Sequence, residues 1–108
     1  GIPAEPLFRS ASSITNRIVQ ITMDIDDHLI HANSIFVRPD DDSLARRQRY
    51  QLEALELTYV LLRNIDRAYR RFGVGSFNAE HWTGLIRELQ RLIRGWYNKD
   101  KERYANIG

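Results

Sequence analysis

Helix-breaking residues occur at only a few positions in this chain, and those positions constrain its fold more than any other feature. Proline occurs only at positions 3, 6 and 39, and five of the six glycines occupy positions 1, 73, 75, 95 and 108. Proline and glycine end helices and favour turns. The stretches between them lack the alternation expected of strands. We therefore predict one all-α domain over residues 1–108, an antiparallel bundle of three long helices at about 8–36, 43–72 and 77–97.

The first predicted helix carries two apolar stripes. The main stripe recurs at spacings of three and four residues and consists of Ile14, Ile18, Ile21, Ile25, Leu29 and Ala32. A second stripe, formed by Val19, Met23 and Ile30, lies roughly opposite at about 100° per residue. A helix that lines only one side of a core needs a single stripe. The second stripe therefore predicts a contact with a further helix or with another subunit.

The second helix is expected to be the most buried, because apolar residues cover more than half of its circumference between Ala54 and Phe72. Gly73 or Gly75 should supply the left-handed residue that follows its last turn. The predicted buried stripe of the third helix consists of Trp82, Leu85, Leu89, Leu92 and Trp96. The mixed-charge tail at 97–104 is expected to fray.

The composition excludes or disfavours several functional classes. The chain has no cysteine, which excludes disulfides, thiolate catalysis and zinc–thiolate sites. Its first residues lack the basic-then-apolar pattern of a signal peptide, and no apolar run reaches the ~18 residues that span a bilayer. We therefore expect a cytoplasmic protein that does not contact a membrane. No serine stands in a nucleophile elbow and no glycine-rich phosphate loop occurs, so we predict a protein that is not an enzyme and needs no cofactor.

Two groups of polar residues leave alternatives open. Asp24, His28 and His31 share one face of the first helix at a spacing that can hold a metal ion, but a polar strip between two apolar stripes has the same pattern. Glu53 and Glu56, with two aspartates of the first helix, resemble the paired acids by which all-α nucleotide pyrophosphohydrolases hold magnesium. These glutamates are expected to point away from the apolar centre and toward arginines, which disfavours the magnesium hypothesis.

Arginine provides the remaining functional signal. Fourteen of the sixteen basic residues are arginine, although the net charge is only +2. A guanidinium group suits phosphates and carboxylates and stacks on bases. Antiparallel packing of the second and third helices can merge their arginines into one basic surface, as in nucleic-acid-binding proteins. The candidate binding residues are Arg63, Arg67, Arg70, Arg71, Arg87, Arg91, Arg94 and Lys99. The alternatives are a merely solvated face and a helical adaptor whose arginines meet acidic protein partners.

Three segments of the chain resemble one protein family. They are Asp26-Asp27-His28-Leu29-Ile30-His31-Ala32-Asn33, then Leu62-Arg63-x-Ile65-x-Arg67-Ala68-Tyr69 with the Gly-Val-Gly-Ser turn after it, and the closing stretch from Leu85 to Trp96. From about Phe8 to Lys99 the chain is similar to a four-helix-bundle family. That family contains the accessory variability determinant of diversity-generating retroelements and the 23S ribosomal RNA intervening-sequence proteins. Its last helix has an acid, a leucine stripe and a closing Gly-Trp before basic residues, matched here by Glu88, Leu89, Leu92, Gly95, Trp96 and Lys99.

The resemblance implies a four-helix bundle, and the first of its four helices is either missing from this chain or supplied by another segment. It also implies a basic homo-oligomer, a ring-like pentamer, that is not itself a polymerase. Such accessory proteins bind the reverse transcriptase of their element together with RNA or single-stranded DNA, and so support mutagenic cDNA synthesis. The residues that carry over to this role are the arginines and the lysine named above.

Overall fold

A computed structural model describes the backbone of residues 4–106 and the side chains of residues 12–106, and this part of the chain contains three helices and no strand. Helix α1 covers Ala4–Ser34, α2 covers Ser43–Phe72 and α3 covers Ser76–Arg103. The all-α class and the bounds of the second helix are confirmed. The first helix begins and ends earlier than the predicted 8–36, and the third runs past the predicted end at 97. Residues 1–3 and 107–108 of the predicted domain lie outside the described residues.

Both connections between helices use residues that oppose further helix formation. Pro39 lies in the link between α1 and α2, where the Arg38 backbone N–H donates a 2.7 Å hydrogen bond to the Ser43 hydroxyl at the start of α2. Gly73 follows α2 with φ +70°, the left-handed conformation predicted for this turn. Only three residues separate α2 from α3. A connection this short makes neighbouring helices antiparallel.

The two outer helices pack on opposite flanks of α2. His28 of α1 contacts Glu53 of α2, and Thr58 of α2 contacts Gln90 of α3. Arg47, near the start of α2, contacts Ile35 just after α1 and Asp100 near the end of α3. Both neighbouring pairs of helices are therefore antiparallel. Within the described residues, the backbones of α1 and α3 do not approach each other closely. The three helices therefore form a shallow layer with Cα extents of 66 × 23 × 14 Å. Residues 4–106 thus form three helices, where the resemblance implies four.

The core lies where all three helices meet. It is centred on Ile21, Ile25, Leu61, Ile65 and Ile86, with further apolar side chains packed around them. The main stripe predicted on α1 is thus confirmed as core-facing. Among the side chains described, α2 has the most buried residues, as expected. The second stripe of α1 is exposed to solvent in this structure.

The predicted buried stripe of α3 is wrong. Leu85, Leu92 and Trp82 keep 57%, 55% and 37% of their surface exposed, whereas Leu89 and Trp96 are half-buried. The buried residues of α3 are Ile86, Gln90, Ile93 and Asp100. The predicted stripe and the buried stripe of α3 lie less than a quarter-turn apart around the helix. The buried stripe has fewer large apolar residues, but its polar residues Gln90 and Asp100 form hydrogen bonds with α2.

A buried ion pair explains why α3 does not fray at Trp96. The Arg47 guanidinium donates to both carboxylate oxygens of Asp100, at 2.7 and 3.2 Å, and also to the Ile35 carbonyl at 3.1 Å. Gln51 donates a further 2.7 Å bond to Asp100, and the guanidinium lies 5.1 Å from the centre of the Trp96 ring. The ends of all three helices are therefore joined at one point. The predicted fraying of the tail at 97–104 does not occur before Arg103, where the helix ends.

Candidate nucleic-acid interface

Three arginines of α2 point away from the core. Arg63, Arg67 and Arg70 are all exposed, and their spacing places them on one side of the helix. The opposite side of the same segment carries Leu61 and Ala68, which are buried. The amphipathic pattern that anchors α2 in the core thus holds these arginines outward.

Helix α3 carries a second row of arginines. Arg87, Arg91 and Arg94 are exposed and lie at i, i+4 and i+7, so they follow one line along the helix. Arg94 follows the buried Ile93, and Arg87 follows the buried Ile86, so this line borders the surface packed on α2. Both rows are therefore available on the outside of the molecule.

Two contacts between α2 and α3 connect the rows. The Arg94 guanidinium lies 5.7 Å from the centre of the exposed Tyr59 ring, which is one turn before Arg63 on α2. Arg87 donates a 3.5 Å bond to Gln90, whose amide in turn donates to the Thr58 hydroxyl at 3.1 Å. The two rows thus follow one another from Arg94 across Tyr59 to Arg70. We call this surface, Tyr59 with Arg63, Arg67, Arg70, Arg87, Arg91 and Arg94, the arginine face.

Tyr59 was not among the predicted site residues. The sequence places it among the apolar residues of α2, and only its contact with Arg94, 35 residues away, shows that it belongs to the arginine face. Tyr50, which also lies on α2, instead stacks on His31 at 4.8 Å between ring centres. An exposed tyrosine next to a guanidinium offers a stacking surface for a base.

The arginines of this face differ in how far they are neutralised. Arg70 pairs with Asp66 at 3.0 Å, and Arg91 pairs with Glu88 on the same helix. Hydrogen bonding to the Arg91 guanidinium lowers the pKa of the Glu88 carboxyl, and the same bond raises the pKa of Arg91. The remaining four arginines of the face have no acidic partner within the described residues. They hold uncompensated positive charge.

The two remaining candidates are Arg71 and Lys99. Arg71 lies four residues after Arg67, so it borders the α2 row on the side where Glu53 faces α1. Lys99 lies beside Trp96 and Arg103 near the end of α3. Both are exposed; Arg71 extends the α2 row toward α1, whereas Lys99 lies apart from both rows.

The two alternative polar groups are occupied by other contacts. His28 lies 3.1 Å from Glu53 through Nε2, and its Nδ1 is 2.7 Å from the Asp24 carbonyl. The Asp24 carboxylate accepts a 2.9 Å bond from Gln20. Glu53 therefore faces α1 rather than arginines, contrary to the expectation. Among the residues whose side chains are described, no three His, Asp or Glu side chains converge as a possible metal-ligand set.

Comparisons with known proteins do not name a family for this chain. No family model matches the sequence, and neither characterised proteins nor solved structures gave a significant match. None of the helices in the described part of the chain is both long and apolar enough to cross a bilayer.

Proposed function

We propose that this protein is a non-catalytic, nucleic-acid-binding accessory protein that acts as a homo-oligomer. The arginine face contacts phosphates of RNA or single-stranded DNA. The single observation that supports this most is the junction at Tyr59 and Arg94, because it unites the arginines of two helices beside an exposed aromatic ring. Guanidinium groups bind phosphates, and an aromatic ring stacks on any base, so binding is expected to show little sequence preference.

The resemblance to the retroelement accessory family supports a narrower form of the proposal. In that form, the nucleic acid is template RNA or its cDNA, and the protein partner is the reverse transcriptase of the same element. This part is tested separately, by co-expression with any reverse transcriptase encoded beside the gene. Stable co-purification of the two chains supports it, and separation at moderate salt contradicts it.

The salt dependence of binding tests the arginine face itself. Phosphate contacts release counterions, so affinity for a single-stranded oligonucleotide should fall with salt with a log–log slope of about −0.7 per contact. The test variant replaces Arg63, Arg87 and Arg94 by Gln. Fluorescence anisotropy from low to physiological salt should show the slope flatten by about two units, since three contacts are lost. The loss should be similar on unrelated sequences.

A charge-matched control separates a defined face from diffuse attraction. Arg17, Arg38 and Arg103 are exposed and lie outside the arginine face, so replacing them by Gln removes the same charge elsewhere. The control should keep most of the parent slope. If the salt slope flattened equally in both variants, binding would depend on general surface charge rather than on the arginine face. Retained binding of an acidic peptide, with no binding of RNA or DNA, would favour the adaptor function instead.

A further inference from the structure

An open apolar groove runs between α1 and α3, above the part of α2 that faces neither neighbour. It encloses about 640 Å³, with a floor that includes Leu61 and Ala68. One wall includes Ile18 and Val19 of α1, and the other includes Trp82 and Leu85 of α3. No charged side chain lines it among the residues described. Nucleic acid is therefore a poor occupant, and an apolar surface is a good one.

The α3 wall is also a helix-pairing seam. Trp82, Leu85, Leu89, Leu92 and Trp96 follow one another at spacings of three, four, three and four residues. This is the a and d pattern of a coiled coil, with leucine at both d positions. Three of the five residues are exposed in the single chain. The same molecule thus presents an apolar groove and an apolar ridge that could fill such a groove.

We infer that the occupant of this groove is α3 of a second copy of the chain. Two copies then exchange the same contact, with each α3 seated between α1 and α3 of the other. This inference rests on the homo-oligomer part of the proposed function and is independent of its nucleic-acid part. The partner of the apolar groove is then a second copy of the same chain.

The exposed apolar area matches what a stable dimer requires. The exposed fractions of Val19, Trp82, Leu85 and Leu92 add up to about two whole side chains, which is roughly 300–500 Å² of apolar surface on each copy at roughly 150–250 Å² for a large side chain. A standard interface buries roughly 800 Å² per partner, of which a little over half is apolar. An exposed apolar patch of this size is as large as the largest patches of monomeric proteins, which are often binding sites.

The seam pattern also indicates the symmetry of the pair. Leucine at the d positions is typical of parallel two-stranded coiled coils, in which the two-fold axis runs along the helices. The two α3 helices then run parallel, and each d-position leucine meets its own counterpart.

The pairing leaves the arginine face free. Arg87 and Arg94 each follow a seam leucine by two residues, which turns them about 200° around α3 from Leu85 and Leu92. The dimer therefore carries two arginine faces on its outside. Loss of pairing and loss of nucleic-acid binding can be measured separately.

Sedimentation of three proteins tests the pairing. The parent chain of 12.7 kDa should sediment at twice that mass at about 100 μM protein. Leu85→Asp with Leu92→Asp should sediment as a folded monomer, because both residues are exposed in the single chain. Leu52→Asp is the matched control, since Leu52 is an exposed leucine of α2 outside the groove. It should remain a dimer. A monomeric parent, a ring of five copies or a dimer that survives both seam substitutions would overturn the inference.

Disulfide trapping tests the orientation and does not depend on the aspartate variants. The chain has no cysteine, so single cysteines report one position each. Leu85→Cys and Leu92→Cys should each give a disulfide-linked dimer under mild oxidation, as both leucines meet their counterparts. The two positions lie about 10 Å apart along the helix, so an antiparallel pair cannot bring both within disulfide reach. Lack of cross-linking at either position would overturn the parallel arrangement.

Discussion

Removal of the Asp100 carboxylate should destabilise the protein more than any other single change in the last turn of α3. Asp100 and Arg47 retain only 4% and 13% of their side-chain surface, so Asp100→Ala leaves a nearly buried guanidinium without its counter-charge. Breaking such a pair by removing one partner costs about 3–5 kcal/mol. The Ile35 carbonyl and the Trp96 ring still contact the guanidinium, which favours the lower end, about 3 kcal/mol.

Urea denaturation monitored by circular dichroism, at one fixed protein concentration, measures this loss. In a thermal melt of the same variant, the melting temperature should fall by roughly 12–24 °C, as about 1 kcal/mol shifts a domain of this size by about 4–8 °C. Asp66→Ala is the control, because the exposed pair with Arg70 contributes only about 0.3–0.5 kcal/mol. Replacing both members by apolar residues, Arg47→Met with Asp100→Leu, should recover much of the stability. If Asp100→Ala lowers the free energy of unfolding no more than the control does, the contacts of Arg47 with Asp100 do not stabilise the fold.

Three further changes test other parts of the fold. Ile25→Asp should unfold the protein, since Ile25 is only 4% exposed and an unpaired buried charge costs several kcal/mol. Met23→Asp is the control, because the Met23 side chain is 55% exposed, and it should leave the melting temperature nearly unchanged. Gly73→Ala should cost about 1 kcal/mol in urea unfolding because of its positive φ, while alanine at the second glycine of the turn should cost less. In an NMR titration, Arg91→Gln should raise the pKa of Glu88 toward its usual value, because the hydrogen bond that lowers it is lost. The parent therefore keeps this ion pair as pH falls until the lowered pKa is reached, and the variant protonates Glu88 at a higher pH.

The sequence predicts the helices better than their rotation. The bounds of α2 and the core stripe of α1 follow from local periodicity and from the proline and glycine positions. Periodicity cannot choose between the two neighbouring stripes of α3, because Gln90 and Asp100 are buried through partners distant in sequence. A polar side chain is buried when such partners exist, and a single stretch of sequence does not contain them.

In the candidate site, too, local features could be predicted from the sequence and contacts between helices could not. Helical spacing alone predicts that the arginines of α2 and α3 form exposed rows, and the structure places them so. The contact of Arg94 with Tyr59 depends on the packing of the two helices and could not be predicted from either one. Lys99 lies beside Trp96 and Arg103 rather than in either row, because of its rotation around α3.

The most direct test of the central claim observes the guanidinium groups themselves. The arginine Nε–Hε resonances of the labelled protein can be followed by NMR while a single-stranded RNA is added. If the arginine face binds RNA, the resonances of Arg63, Arg67, Arg87 and Arg94 should shift together, and the shifts should disappear at high salt as phosphate contacts are screened. Shifts confined to arginines outside the arginine face, or none at all at low salt, would contradict it.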